Sequence, residues 1–335
     1  MFSEKMEKAF ELMEQAVQLL KKSLDTSFLD AYIENGDNLL DNFQVRVLDG
    51  KPDEETIFEL KELYKELKQI DLEPEEFRRL TQLVLLKGNK DEPVQANHQL
   101  TPDSIGFLFV FLMEQFYAET SDLQILDISS GMGNLLLTVL LNLRLSKKTV
   151  TGYGVDVDDT LLSVASVNGG LTGTDIKLFH QDGLQELLID PVDAAISDLP
   201  IGYYPNDEKA AGFTVAAQEG HTYAHHLLME QAMKYVKSDG FGFFLVPANV
   251  FESEQSEQLK KWIQENVYLQ GVIQLPDAMF QTEHSRKSIL IVQNKGEHSS
   301  QAKEVLLVKL ASLKEPEKVT QFFQQFEAWK SSNLK

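Results

Sequence analysis

The chain reads as an α/β protein, an open, mostly parallel sheet covered by helices on both faces, preceded by a smaller helical domain. Three observations predict it. Residues 123–133, LQILDISSGMG, form an apolar strand that runs into a small-residue turn, and a leucine-rich helix pattern opens at Asn134. A second strand, about twenty residues on, ends in GYGVDVDD at the spacing expected of a cofactor site in such a sheet. Beyond it, strand and helix patterns alternate through most of the remaining chain.

The totals agree. With 335 residues and 43% hydrophobic side chains, the chain is long enough for one large domain and a smaller one. There is no cysteine, which excludes disulfides, thiolate metal sites and cysteine nucleophiles. The longest apolar run, LLLTVLLNLRL from Leu135, stops at Arg144, too short for a membrane span. The first residues, MFSEKMEKAFELMEQ, form a charged amphipathic pattern unlike a signal or transit peptide, so the expectation is a cytoplasmic protein with no membrane partner. A formal charge of −21 opposes a phosphate backbone unless basic residues cluster. Arg46, Arg78, Arg79, Arg286 and Lys287 are the residues to watch.

Helical periodicity covers residues 1–24, with Met6, Phe10, Met13, Val17, Leu20 and Leu24 on one face, and then 26–40, where Asn35 and Gly36 mark an interruption or turn. The alternating Phe43, Val45 and Val47 read as an edge hairpin or linker. Further helices span 54–69 and a run from Asp71 to Leu86, with Pro74 in its first turn. The division falls at 1–95 and 96–335, within the polar stretch KGNKDEPVQAN. Thr101 as cap and Pro102 at the first position start an apolar helix that ends near Tyr117. Strands are expected at 123–128, 150–156, 175–179, 192–197, 241–246, 270–275, 288–293 and 303–309. Helices between them fall near 134–146, 158–169, 183–189, 221–237, 253–266 and 313–330. The closeness of 270–275 to 288–293 predicts an antiparallel edge.

Four stretches carry candidate chemistry. In DISSGMGN, Ser129, Gly131, Gly133 and Asn134 present backbone donors at a helix start, and Asp127 can take ammonium or hydroxyl groups. Ser129 stands where GxGxxG has its first glycine, so a ligand-free tight turn is the alternative. Asp156 at the second strand end suits ribose hydroxyls or a helix cap, a role Asp158 or Asp159 can also fill. Asp182, in LFHQDGL, can accept an adenine amine with Leu184 against the ring, or simply make an Asp-Gly turn. In AAISDLPIGYYP, a strand delivers Asp198 to the sheet edge, Pro200 stiffens the exit, and Tyr203 and Tyr204 follow. An amine acceptor beside an aromatic face suits chemistry on a base; a rigid loop with partly buried tyrosines is the plainer reading. His221, His225 and His226 lack HExxH spacing and read as a solvated helix start, with no metal site. FLVPANVF and GVIQLPDAMF would line the carboxyl edge of the sheet.

In their order these motifs resemble the gamma-class adenine-N6 DNA methyltransferases, most closely the modification subunit of type I restriction systems, over residues 97–294. The resemblance implies a Rossmann-like class I S-adenosylmethionine-dependent methyltransferase sheet. It implies S-adenosyl-L-methionine as cofactor, contacted by Thr101, Pro102, the 127–134 loop, Asp156, Asp182 and Leu184, with Asp198 facing both cofactor and acceptor. Asp198-Leu199-Pro200-Ile201 stands where the family has Asn-Pro-Pro-Tyr or Phe, leaving Tyr203 or Tyr204 to supply the ring. DNA would be bound weakly or through a separate specificity subunit, and the helical domain would join a homodimer or hetero-oligomer. The readings carried forward are adenine methylation, methylation of a non-DNA acceptor, and a non-catalytic protein that keeps the cofactor fold.

Overall fold

A computed structural model describes residues 3–334. Four helices come first: α1 (Glu4–Leu24), α2 (Phe28–Leu40), α3 (Glu54–Leu67) and α4 (Pro74–Asp91). The α/β part contains α5 (Asp103–Phe116), β1 (Asp122–Asp127), α6 (Asn134–Leu145), β2 (Thr149–Asp156), α7 (Asp159–Leu171), β3 (Ile176–His180) and β4 (Val192–Asp198). It continues with α8 (Asp207–Ala210), α9 (Ala224–Tyr235), β5 (Val236–Pro247), α10 (Ser256–Asn266) and β6 (Val267–Gln274). β7 (Lys287–Asn294), β8 (Leu306–Lys309) and α11 (Pro316–Asn333) complete it.

The eight strands form one sheet in the order β3-β2-β1-β4-β5-β7-β6-β8. β7 runs antiparallel to both its neighbours, and the other pairings are parallel. Side chains alternate across the sheet as strand geometry requires. Leu123, Ile125, Ala194, Ile196, Phe241 and Phe243 face the core under α5, α6 and α11. Leu126, Ala195, Phe244 and Val246 face the opposite core under α9 and α10. A third core joins the helical layer to α7 through Leu161, Val164 and Val167.

Several expectations need correction. Of the two readings for 43–47 the linker holds and the edge hairpin does not: these residues form no strand, and the Leu48–Lys51 bridge is isolated. Residues 183–189 form a short turn followed by irregular chain rather than a helix. The Leu187 amide that a helix would use is taken by the Tyr235 hydroxyl, and the Leu184 amide by the Asp182 side chain. The antiparallel pair is not the sheet edge: β7 lies between β5 and β6, and β8 covers β6. Thr101 does not cap α5, whose first residue is Asp103 with Pro102 before it. α2 is continuous through Asn35 and Gly36, because both face into the core and the missing side chain at Gly36 lets α7 approach. A Cβ at Gly36 would lie 2.1 Å from Cγ1 of Val167.

The histidines are also placed differently from the solvated helix start expected of them. His221 is exposed, but His225 and His226 are buried, because α9 begins at Ala224 with its first turn already against the core. Neither ring nitrogen of His226 has a protein partner. Burial, with Lys287 beside it, pushes His225 down to about 4, and burial beside His225 pushes His226 down to about 3. Asp127, equally buried, goes the other way, up to about 7, through desolvation and the nearby Asp156 and Asp198 charges, against hydrogen bonds from Ser197 and the Ser129 amide.

These positions yield two predictions. Gly36→Ala should destabilise the protein by roughly 1–3 kcal/mol through overpacking, and much of that cost should vanish in a Val167→Ala background, measured by urea unfolding in a double-mutant cycle. Between about pH 6 and 5 the unfolded chain binds protons at both histidines that the folded chain excludes, which lowers stability as pH falls. Asp127 has the opposite sign, since the folded chain holds a proton there that the unfolded chain has lost. Two against one leaves a net loss of roughly 1.4 kcal/mol per pH unit on acidification. His226→Phe should abolish most of that slope in urea titrations at pH 6 and pH 5; an unchanged slope would refute the assignment.

Candidate functional site

The sheet order reverses direction between β1 and β4, from which β2 and β3 lie to one side and β5 to the other. Open α/β sheets hold ligands at the carboxyl end of such a crevice. A cleft of about 660 Å³ opens there. Thr101, Pro102, Asp127, Ser129, Gly131, Asn134, Asp198, Pro200, Ile201 and Lys287 are among the residues that line it, with Phe280 and His284.

The glycine turn forms for a backbone reason. Gly131 and Gly133 have φ of 51° and 75°, the left-handed region where a side chain is strained, and Gly133 precedes the first turn of α6. Asn134 then reaches back, its Nδ2 donating to the Thr101 carbonyl at 2.6 Å. Asp127, at the end of β1, is 1% exposed. Its Oδ1 accepts from the Ser197 hydroxyl at 2.6 Å and the Ser129 amide at 3.3 Å, and the Ser129 and Ser197 hydroxyls meet at 2.7 Å. Both recorded bonds fall on Oδ1.

Asp156 accepts the Gly131 amide on Oδ2 at 2.8 Å and the Asp158 amide on Oδ1 at 3.0 Å. Asp158 is the cap of α7, accepting from the Leu161 amide. Asp182 accepts the Leu184 amide on Oδ1, while its Oδ2 takes the Tyr204 hydroxyl at 2.6 Å and the Lys209 ammonium at 2.9 Å. Partial burial raises its carboxyl pKa, but these three donors outweigh burial and hold it below the ordinary carboxylate range. Leu184 is buried in the core under α9. Asp156, Asp182 and Leu184 stand at neighbouring strand ends, outside the cleft lining.

Asp198 closes β4 with both oxygens engaged. Oδ2 accepts from the Thr101 hydroxyl at 2.9 Å, and Oδ1 from the Lys287 ammonium at 2.5 Å. The loop behind it is clamped by Asn97, whose amide donates to the Ile201 carbonyl at 3.0 Å and accepts from the Ile201 N–H at 3.1 Å. Ile201 is 40% exposed. Tyr203 leaves the cleft: its ring stacks on Tyr223 at 4.9 Å and 9°, and its hydroxyl bonds Glu254. Tyr204 is turned to Asp182, so neither tyrosine lines the cleft.

The structure thus brings Thr101, Pro102, Asp127, Ser129, Gly131, Asn134, Asp198 and Pro200 together. Sequence reasoning missed Asn97, Ser197 and Lys209, and saw Lys287 only as one of five basic residues. A polar Ser197 inside an apolar strand was the one local signal available. All five basic residues have acidic partners: Arg46 with Glu34, Arg78 with Glu75 and Asp103, Arg79 with Glu75, Arg286 with Asp277 and Glu283, and Lys287 with Asp198. Among the described residues no group of His, Asp and Glu is arranged to hold a metal ion, and no helix is long and apolar enough to cross a membrane.

Comparison with known proteins accounts for both parts of the chain. A model of the N-6 DNA methylase family matches residues 85–330, and one of the YtxK N-terminal helical domain matches residues 7–89. The uncharacterized protein YtxK of Bacillus subtilis is 38% identical over 322 residues, 96% of each chain. A crystal structure from Listeria monocytogenes, provisionally named a class I S-adenosylmethionine-dependent methyltransferase, is 40% identical, with a TM-score of 0.89 over 97% of this chain and 99% of that one. The type I restriction-modification methyltransferase subunit of Streptococcus thermophilus shares the fold, with a TM-score of 0.65 over 94% of this chain and 74% of its own, at 14% identity. The architecture is therefore the class I S-adenosylmethionine-dependent methyltransferase-like α/β fold with a smaller helical domain at the N-terminus. The glycine turn at the end of β1, the carboxylate at the end of β4 and the family match over most of the chain agree: this protein belongs to the N-6 DNA methylase family.

Proposed function

We propose that this chain binds S-adenosylmethionine in the cleft and transfers its methyl group to an amine nitrogen held at Asp198. One observation carries the reading: Thr101, Asp127, Ser129, Asn134 and Asp198 line a single cleft at the reversal of the sheet.

The residues fit the cofactor. Its ammonium suits Asp127, whose recorded bonds leave Oδ2 free to accept. Its carboxylate suits the N-terminus of α6, where Asn134 and Leu135 line the cleft. Asp156 and Asp182 lie beyond the cleft lining at the next strand ends, so their remaining lone pairs would serve the ribose hydroxyls and adenine amine of a cofactor that extends out of the cleft past Gly131; Gly131, Asp158, Tyr204 and Lys209 hold the two carboxylates in place. When bound, the cofactor supplies an electrophilic methyl group on a sulfonium. The chain's contribution is position: Asp198 and the Pro200 loop, clamped by Asn97 and Thr101, aim the acceptor nitrogen.

A second reading, cofactor binding without methyl transfer, is favoured by the Asp198–Lys287 pair, which fills the acceptor position from within. DNA adenine is a poor direct substrate on either reading. The charge is −21, the five basic residues are paired, and no aromatic ring stands at Ile201. A DNA substrate would need its phosphates met by a separate specificity subunit, and the helical domain is the surface offered to such a partner or to a second copy.

Calorimetry with S-adenosylmethionine, beside labelled methyl transfer to unmethylated DNA, RNA and protein extract, tests the proposal. Affinity should rise with pH up to about 7, where Asp127 becomes ionised, and Asp127→Asn should weaken it by roughly 10- to 100-fold, the worth of a charge-assisted hydrogen bond. Transfer that Asp198→Ala abolishes would establish catalysis. Binding without transfer selects the second reading, and absence of binding defeats both.

A further inference from the structure

Two apolar surfaces away from the cleft carry opposite charge. The first is a groove of about 610 Å³ between α10 and the last strands, lined by Ile263, Val267, Leu269, Val272 and Leu307. Strand alternation turns Leu306 into the core and Leu307 to the other face. β8 ends the sheet and α10 packs on β6, so Leu307 is left 75% exposed. The charged residues of the lining are Lys260 and Lys295, with no carboxylate. Lys260 pairs with the exposed Glu257 of its own helix at 2.8 Å. The Lys295 ammonium instead donates to the Gln264 and Glu265 carbonyls at 2.7 and 3.0 Å, which fixes this cation at the C-terminal turn of α10.

The second surface is a depression of about 540 Å³ between α1 and α3, where Leu19, Phe58 and Leu63 form the apolar part. Its charged residues are Glu14, Glu59, Glu62 and Lys22. α3 buries Leu60, Tyr64 and Leu67. Phe58 stands two positions before Leu60, about 200° round the helix, and is therefore turned away from that core and 68% exposed. A bare ring beside further apolar side chains marks a contact surface rather than a scattered surface residue.

We infer that these two surfaces bind each other between copies of the chain: the α1–α3 face of one copy, anchored by Phe58, seats in the α10–β8 groove of a second. The inference stands apart from the cofactor reading. Charge selects the occupant. The chain carries −21, so most pairings of its surfaces repel. The groove is an exception, with two lysines in its lining, and the helical face is acidic, with three glutamates against one lysine. Groove against groove would set lysine against lysine, and helical face against helical face would set glutamate against glutamate. The crossed pairing joins unlike charges around two apolar centres, with an exposed aromatic anchor on one side and an apolar groove on the other. A two-fold axis closes such a contact into a dimer in which each chain gives its groove and takes its partner's helices; without the axis the contact propagates into chains.

Sedimentation velocity of the full-length chain over a range of concentrations reads the association directly. The wild type should associate, and raising salt from about 0.05 M to about 0.5 M should weaken the association roughly 10-fold, the worth of two exposed ion pairs. Phe58→Lys puts a cation on the helical face, and Leu307→Glu puts an anion in the groove. Each should sediment as a single chain, with circular dichroism showing the fold intact. Mixed in equal amounts the two variants should recover a dimer, because the first keeps an intact groove and the second an intact helical face. A wild type that stays a single chain at low salt would overturn the inference, as would a mixture that stays monomeric. Association that survives Phe58→Lys would point to groove against groove, and association that survives Leu307→Glu to helical face against helical face; either result also overturns it.

Discussion

Four carboxylates stand at one end of one sheet, and much of the surrounding structure answers the cost of putting them there. Asp127, Asp156 and Asp198 end β1, β2 and β4, and Asp182 follows β3 by two residues. Like charges at neighbouring strand ends repel, and burial removes the water that would screen them. Each is met by a particular donor: Ser197 on Asp127, the Gly131 amide on Asp156, Tyr204 with Lys209 on Asp182, and Thr101 with Lys287 on Asp198. Asp127 is fully buried and receives no cation, and desolvation first, with the Asp156 and Asp198 charges behind it, pushes its carboxyl up to about 7. A ligand carrying both an ammonium and a sulfonium, as proposed for the cleft, would relieve the same repulsion.

The helical layer supports that edge as well as decorating it. Met132, inside the glycine turn, belongs to the core formed by α1–α4 and α7. Tyr32 of α2 donates its hydroxyl to Asn168 of α7 at 2.5 Å, and the buried Arg78 of α4 holds Asp103 at the start of α5 through two bonds. Thr101, two residues before Asp103, is therefore fixed from the helical side while its hydroxyl holds Asp198. A disturbance between α2 and α7 would reach the turn through packing, because close-packed interiors transmit strain rather than absorb it.

The departure from the family's catalytic motif is compensated locally. Asparagine at position 198 would be neutral and would offer an amide donor; aspartate brings a charge, and the first residue of β7 supplies its counter-ion. Replacing the ring at position 201 by isoleucine leaves the backbone path intact, since Asn97 grips Ile201 through main-chain atoms alone.

Local pattern made much of this protein legible from sequence. Apolar alternation, the glycine turn and the leucine-rich helix after it are short-range signals, so the strands, their carboxyl-edge aspartates and the helical first domain could be read directly. Failures included a competition for single amides, as at Leu187, the face that meets the core, as with His225 and His226, and the order of the last strands, where β8 covers the expected edge. Sequence alone determined that Asp127, Asp156, Asp182 and Asp198 would share an edge, because strand period and parallel order place them there. Only the tertiary structure decided what each aspartate holds. Lys287 lies 89 positions from Asp198 and Thr101 lies 97, and pairing across such separations follows from strand order and register, which no local pattern encodes.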